Sequence, residues 1–106
     1  MFARIVAMQV KPNTRQEFTK MFENQIIPAL RKQHGFADEM LLVDSGGPEV
    51  VAISLWDSKQ SAETFNRTTY PEMLKTLGKM IEPTPEVRSL EVAYSTLQKM
   101  ATPAAA

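Results

Sequence analysis

The stretch EVVAISLWDSKQSAETF, residues 49–65, indicates a buried strand that runs directly into a helix. Residues 50–56 are apolar at both alternating positions, which is typical of a strand that is covered on both faces. Asp57 or Ser58 is then suited to cap the helix that follows. Trp56, the one tryptophan of the chain, stands at this junction. It is either a core residue, the commoner role, or part of the wall of a ligand site.

The two segments nearest to this strand complete a sheet. Residues 36–44, FADEMLLVD, predict a strand that forms a hairpin with residues 49–57 through the turn SGGP. We expect Gly46 and Gly47 to supply the positive φ angles that such turns use. Residues 2–10, FARIVAMQV, form a second run that is apolar at both parities. It therefore predicts another central strand.

Residues 13–35 predict a long amphipathic helix between the first two strands. Thr14 and Glu17 have the spacing of a capping box at its start. Gly35 is suited to the position just after its end. Pro28 lies inside the helix and removes one backbone donor, so we expect a kink there.

The remaining chain predicts a second helix over residues 58–70, a further helical segment over residues 71–80, and a last strand over residues 87–97. The order β-α-β-β-α-β is the ferredoxin-like arrangement, an α+β fold with a four-stranded antiparallel sheet. We expect one domain over residues 1–96 and a C-terminal tail over residues 97–106.

The two predicted helices can cover one face of the sheet only. Two of the strands are nevertheless apolar on both faces. The sequence therefore predicts a homodimer that forms through the open sheet face.

Composition excludes several classes of function. The 106 residues include 12 basic and 12 acidic side chains, a balance that favours neither nucleic acid nor an anionic membrane as a partner. There is no cysteine, and the single histidine gives no basis for a metal site. No apolar run approaches the roughly 20 residues of a membrane span. Arg4 interrupts the apolar N-terminal stretch, unlike a signal peptide, so we expect a cytoplasmic protein.

The order of elements, the chain length and the segment LWDSKQSAETF resemble the antibiotic biosynthesis monooxygenase family over about residues 1–96. Trp56 at a strand end, Ser58 at a helix start and the break EPTPE before the last strand carry this resemblance. It implies a dimeric α/β barrel. It also implies a monooxygenase that needs no cofactor and oxidises a small aromatic substrate of the quinol or anthrone type.

Two positions depart from subgroups of that family. Phe65 stands where many members have histidine, or a second tryptophan in haem degraders, and Lys75 stands where haem degraders have histidine. Two alternatives stay open, of which these departures motivate the first, while Lys75 leaves haem without the histidine ligand of the haem degraders. One is a non-catalytic dimeric barrel that binds a small molecule or acts in a stress response, and the other is a haem-binding protein.

The candidate site residues follow from this resemblance and from their side-chain chemistry. A pocket between the sheet and the helices would need hydrogen-bond donors and a group that handles a proton. His34 sits at a predicted helix end, where a structural role is the commoner one. The predicted catalytic residues are Trp56, Asn66, His34 and Arg4, and the predicted ligand-binding residues are Trp56, Phe65, Tyr70 and Phe22.

Overall fold

The computed structural model describes residues 1–97 and confirms the ferredoxin-like α+β fold. The strands are β1 (Phe2–Gln9), β2 (Phe36–Val43), β3 (Glu49–Trp56) and β4 (Glu86–Glu91). They form one antiparallel sheet in the order β2-β3-β1-β4. The two strands predicted to be central are therefore central. Within residues 1–97 the sheet is open and does not close into a barrel.

Within the described residues, four helices pack on one face of this sheet. They are α1 (Arg15–Met21), α2 (Ile27–Arg31), α3 (Lys59–Thr68) and α4 (Tyr70–Leu77). A π-helical turn, Phe22–Ile26, joins α1 to α2. The helical residues share one core with the even-numbered residues of β1 and β3.

The irregularity predicted at Pro28 is present in the structure as this π-helical turn. Pro28 has no N–H to donate, so it cannot continue a regular ladder of hydrogen bonds. The N–H of Ile27 bonds to the carbonyl of Phe22, which widens the helix by one residue at this point. Pro28 then stands in the first turn of α2, where its missing donor is tolerated.

The predicted capping box at the start of α1 is wrong. Thr14 is the N-cap residue, but its hydroxyl donates to the carbonyl of Lys11 at 2.6 Å and does not cap the helix. Asn13, just before it, has a φ of 62°. Asparagine tolerates this left-handed conformation better than most residues do. The cap of α3 follows the prediction, since Ser58 Oγ accepts a hydrogen bond from the N–H of Ser61.

The β2–β3 hairpin is confirmed, but its glycines do not have positive φ. Asp44 organises the turn instead, because its Oδ1 accepts a hydrogen bond from the N–H of Gly46 at 3.0 Å. A Cβ atom on Gly47 would lie 2.6 Å from Asp44 Oδ2. A side chain at this position would therefore require the Asp44 carboxylate to shift. Gly35 does have a left-handed backbone, at a φ of 84°. It is not the residue just after the helix, as predicted, because α2 ends at Arg31 and Lys32 is its C-cap.

Strand β4 is shorter than predicted. The sequence suggested residues 87–97, whereas pairing with β1 ends at Glu91, which stands opposite Phe2. One further backbone bond, from Val92 to Met1, closes the ladder. Because β1 begins at Phe2, β4 has no partner beyond this point. Tyr94 is 84% exposed, and residues 98–106 of the predicted tail lie outside the described residues.

The two faces of the sheet differ sharply. The helix-facing side includes buried residues of β1 and β3, among them Val6, Met8, Val50 and Trp56. The other side, called here the open face, is mainly apolar, and within the described chain no helix packs against it. Its exposed members include Met40 (44%), Leu42 (47%) and Leu90 (44%). Among the helices of residues 1–97, none has the length and apolarity to cross a membrane.

Candidate functional site

A small cavity lies between the helix-facing side of the sheet and the helices. Its volume of about 30 Å³ has room for roughly two water molecules. Most of its wall is apolar, and the polar groups come from β1, β2, β3 and α4. The lining residues are Arg4, Val6, Met8, Phe22, Ile26, Leu30, Glu39, Ala52, Ser54, Phe65, Tyr70, Met73 and Leu77.

The polar lining residues of the sheet stand in one row across its strands. Arg4 of β1 is the register partner of Ser54 in β3, and Ser54 is the partner of Glu39 in β2. On the far side, Arg4 pairs with Ser89 of β4. Side chains at paired positions point to the same face of a sheet. We call Glu39, Ser54, Arg4 and Ser89 the polar row.

A β-bulge places Glu39 in this row. Trp56 pairs with Phe36, but the next β3 residue, Leu55, pairs with Asp38, so the register shifts by one residue at Ala37. With strict alternation, Phe36 and Glu39 would point to opposite faces. The extra residue turns Glu39 to the helix-facing side. Bulges are over-represented next to functional sites, where they re-aim a side chain.

The guanidinium group of Arg4 is held from two sides. It is 3% exposed. Its Nη2 donates to Asn66 Oδ1 at 2.8 Å, and its Nε lies 3.3 Å from the same oxygen. The Arg4 Cζ atom stands 4.0 Å from the ring centre of Tyr70 and 5.3 Å from that of Phe65. Burial lowers the pKa of Arg4, but arginine keeps its proton in proteins. The cavity therefore contains a fixed positive charge against aromatic rings.

Glu39 is the acidic residue of the cavity. Within residues 1–97, its Oε2 atom is buried and has no hydrogen-bond partner. No ion pair joins it to Arg4 in this part of the chain. Burial raises the pKa of Glu39 to about 8, while the charge of Arg4 opposes this rise and that of Asp38 adds to it. At neutral pH the carboxyl group is thus mainly protonated and poised to exchange its proton.

Trp56 supports the wall of the cavity from behind. It is fully buried, and its Nε1–H donates to Ser54 Oγ at 2.9 Å. Its ring packs against Phe65 at 4.9 Å and against Phe36 at 5.6 Å between ring centres. It is absent from the residues that line the cavity within residues 1–97. Its contacts match the core role that the sequence left open.

His34 lies apart from the cavity. Its side chain is exposed at the end of α2, and its charge acts on Asp57. A hydrogen bond from Ser61 lowers the pKa of Asp57, and bonds from Ser58 and the charge of His34 add to this effect. The imidazole thus belongs to the junction between α2 and α3. It is too far from the cavity wall to be one of its lining groups.

The structure brings together five of the seven predicted site residues. Phe22, Phe65, Tyr70 and Arg4 line the cavity, and the exposed Asn66 holds Arg4. Trp56 stands behind this group and His34 stands outside it.

Sequence reasoning missed Glu39 and Ser54. Each is a polar residue at a strand position that faces the helices. This feature can be recognised only when the strand register is known. In the described residues, no cluster of three histidine, cysteine, aspartate or glutamate side chains could hold a metal ion.

The family profile described as antibiotic biosynthesis monooxygenase matches residues 1–76. The chain belongs to this family. Comparison with curated protein sequences gives no significant match.

Solved structures with the same fold include oxygenases of two streptomycetes. One is a monooxygenase from the gene ActVA-Orf6 of Streptomyces coelicolor in complex with nanaomycin D, with 18% identity, a TM-score of 0.75 and coverage of 91% of this chain and 90% of that chain. Another is SnoaB of Streptomyces nogalater, a cofactor-independent oxygenase, with 15% identity, a TM-score of 0.75 and coverage of 92% and 97%. A conserved protein from Methanosarcina mazei shares 20% identity at a TM-score of 0.69, with coverage of 85% and 90%.

Proposed function

We propose that this antibiotic biosynthesis monooxygenase family member is a cofactor-independent monooxygenase that oxidises a small aromatic substrate of the quinol or anthrone type. Family membership and the fold shared with SnoaB and the ActVA-Orf6 monooxygenase support this proposal. The observation that carries it is the Arg4 guanidinium, buried in an otherwise mainly apolar cavity and packed on aromatic rings.

The proposed reaction draws its electrons from the substrate. An anthrone that loses a proton becomes a carbanion conjugated to its oxygen, and this carbanion reduces O₂. Its CH₂ group then becomes a carbonyl group, and the second oxygen atom leaves as water, so that CH₂ and O₂ give C=O and H₂O. No cofactor is required for this balance.

Arg4 fits the electrostatic requirement of such a reaction. The negative charge that forms on the substrate oxygen needs a donor that is already in place, in a site from which water is excluded. Arg4 cannot reorient freely, because Asn66 accepts its hydrogen bonds and the ring of Tyr70 lies against its face. The flat rings of Phe65 and Tyr70 would pack against an aromatic substrate.

The helical wall must move for such a substrate to bind. Ligand pockets usually measure about 300–1,000 Å³, whereas this cavity measures about 30 Å³. The apolar wall facing the polar row consists of Phe22, Ile26, Leu30, Met73 and Leu77. Methionine adapts readily to a new shape, and the π-helical turn lies in the same wall. We place the route of entry there.

Oxygen uptake tests this function. Purified protein is mixed with 1,8-dihydroxy-9-anthrone or 1,4-naphthohydroquinone in an oxygen electrode without added cofactor, and the spontaneous rate is subtracted. We expect uptake above that rate, and a loss of about 10²-fold in kcat/KM for Arg4→Met, the typical effect of removing one such donor. Arg67→Met, which removes an exposed arginine of α3, is the control and keeps full activity.

Two results would contradict the proposal. One is uptake no faster than the spontaneous rate over a broad panel of quinols and anthrones. The other is an Arg4→Met variant as active as Arg67→Met. Tight binding of these compounds without turnover would instead favour the alternative of a non-catalytic binding barrel.

We further propose that the protein forms a homodimer through the open face. Ile5, Ile53 and Met40 form one apolar row of this face across three strands, and Ala7, Val51 and Leu42 form the next. Exposed apolar patches of this kind mark association sites. Two open sheets packed face to face would make the α/β barrel that the family resemblance implies.

A further inference from the structure

Two charged residues line the cavity within residues 1–97, and the proposed function so far uses one of them. Arg4 is the basic member, and Glu39 is the acidic one. A buried carboxyl oxygen without a hydrogen-bond partner, such as Oε2 of Glu39, is unfavourable unless the group is protonated or serves a ligand. The β-bulge at Ala37 is a second observation, because it turns Glu39 toward the helix-facing side of the sheet. Both features indicate a role toward a ligand.

We propose that Glu39 accepts the hydroxyl proton of the bound substrate while Arg4 holds the oxygen that becomes negative. This inference rests on the proposed function, because it concerns the same cavity and the same class of phenolic or enolic substrate. It assigns the proton-handling role to a residue outside the set predicted from the sequence.

The spacing of the polar row suits a hydroxyl group between the two charges. Neighbouring strands lie about 4.8 Å apart, and Ser54 on β3 stands between Arg4 on β1 and Glu39 on β2. The backbones that carry the two charged groups are therefore about 10 Å apart. Their side chains reach toward the same cavity without forming an ion pair. A substrate oxygen can then contact the carboxylate on one side and the guanidinium on the other.

The charge balance of this step is favourable in a dry site. In the active form, which becomes populated as the pH approaches 8, the ionised Glu39 carboxylate balances Arg4 before transfer. The substrate O–H bond then breaks, an O–H bond forms on the carboxylate, and the oxyanion of the substrate balances Arg4 in turn. The net charge of the cavity stays the same throughout. A step that created a new unbalanced charge would be strongly opposed by burial.

The other titratable groups near Glu39 are less suited to this role. Tyr70 of α4 packs its ring against the Arg4 guanidinium group. The positive charge of Arg4 suits it to stabilise an anion and not to accept a proton. Asp38 pairs with Leu55 and points to the open face. His34 is exposed and outside the cavity lining within residues 1–97. Glu39 is thus the carboxylate that the cavity presents to a ligand.

Ligand affinity measured against pH tests the inference independently of turnover. The probe is 1,8-dihydroxyanthraquinone, a phenol that cannot react further, and quenching of the fluorescence of Trp56 reports its binding. Below pH 8, the free probe and the free Glu39 each carry a proton, and the complex holds one proton between them. Binding then releases one proton, so the affinity should rise about tenfold per pH unit. The affinity then falls once the free probe ionises. Glu39→Gln should lose this maximum, since it has no group to share the proton.

Two further variants make the result specific. Glu49→Gln makes the same substitution at an exposed glutamate of β3 and should keep the maximum. Glu39→Asp retains a carboxyl group and should restore part of it, which separates proton exchange from mere packing. Thermal denaturation of each variant shows that it is folded. In the anthrone assay, kcat/KM of Glu39→Gln should fall about 10²-fold or more and lose its rise toward pH 8.

The outcomes separate the inference from the proposed function. A wild-type affinity that is constant from pH 6 to 8, a Glu39→Gln variant that keeps the maximum, or no binding of the probe at any pH overturns the inference, whether or not oxygen is consumed. A maximum that depends on Glu39, without any oxygen uptake, supports the inference and overturns the monooxygenase proposal alone.

Discussion

The two faces of the sheet are built from the same strands, yet they reverse the usual relation between polarity and burial. On the helix-facing side, the charged residue Arg4 is 3% exposed. On the open face, the apolar residues Met40 and Leu42 are 44% and 47% exposed. In a monomer with no ligand and no partner, both arrangements are unfavourable.

The difference teaches that each face is adapted to a different kind of contact. A buried charge is retained where an oppositely charged group forms or binds beside it. An exposed apolar surface is retained where another apolar surface covers it. Substitutions that act on one face and spare the other can therefore separate catalysis from assembly.

The largest effect is expected on the open face. Leu42→Glu should weaken the dimer by about 10³-fold or more, because a twofold interface would bury two unpaired carboxylates at several kcal/mol each. Native mass spectrometry distinguishes the dimer from the monomer, since the dimer has twice the 11.9 kDa mass of the chain.

Val43→Glu is the matched control for this change. Val43 is the next residue of β2, is 46% exposed and points to the opposite face. The Val43→Glu variant should therefore remain dimeric. Equal loss of the dimer in both variants, or a wild-type protein that is monomeric, would show that the open face has another role.

On the helix-facing side, Glu39 should make stability depend on pH. Its pKa is about 8 in the folded protein and about 4.5 in a solvated carboxyl group. As the pH rises from 4.5 to 8, the unfolded chain releases this proton and the folded chain keeps it. The free energy of unfolding should therefore fall by up to about 1.4 kcal/mol per pH unit, for a total of about 3–5 kcal/mol.

Urea denaturation at pH 5, 7 and 9 measures this effect. The difference between wild type and Glu39→Gln isolates the contribution of Glu39 from that of all other groups. Wild type should lose stability relative to the variant as the pH rises. Parallel pH curves for these two proteins would mean that the carboxyl group is solvated in the folded state. Glu49→Gln should follow the wild type.

The smallest effect is expected from Ser54→Ala in the polar row. It removes the acceptor of the buried Trp56 Nε1–H, and an unsatisfied buried donor costs about 1–3 kcal/mol. Ser89→Ala changes an exposed member of the same row and should shift the unfolding free energy by less than about 0.5 kcal/mol. Denaturant titration of both variants measures the two changes in unfolding free energy. Equal changes would mean that the hydrogen bond from Trp56 to Ser54 does not stabilise the fold.

The fold could be predicted because its signals are local. Apolar runs at both parities identified β1 and β3 as central, and glycine-rich or proline-rich breaks separated the elements. The details that failed depend on neighbours. β4 ends where β1 runs out of residues, and the Thr14 hydroxyl turns to the carbonyl of Lys11. Neither feature is visible in the residues concerned.

The site could be predicted in part, for a related reason. Arg4 stands out as a charge in an apolar strand and Tyr70 as an aromatic residue at a predicted helix break, whereas Phe65 is identified through its position in the family resemblance. Glu39 does not stand out, because it follows Asp38 directly and the sequence does not show which of the two acidic residues faces the helices. The bulge in β2 turns Glu39 to the helix-facing side. A one-residue shift in register is beyond what a single sequence reveals.

The polar row also has a consequence for how the chain folds. Because side chains alternate between faces, a slip of one residue between any two strands would move Arg4 or Glu39 to the apolar face and would bring an apolar residue into the cavity. The row therefore penalises a shift by one residue between any two of the three strands that carry Glu39, Ser54 and Arg4. The residues of the site therefore also favour the correct strand register during folding. A sequence without them would discriminate less well between the native register and one shifted by one residue.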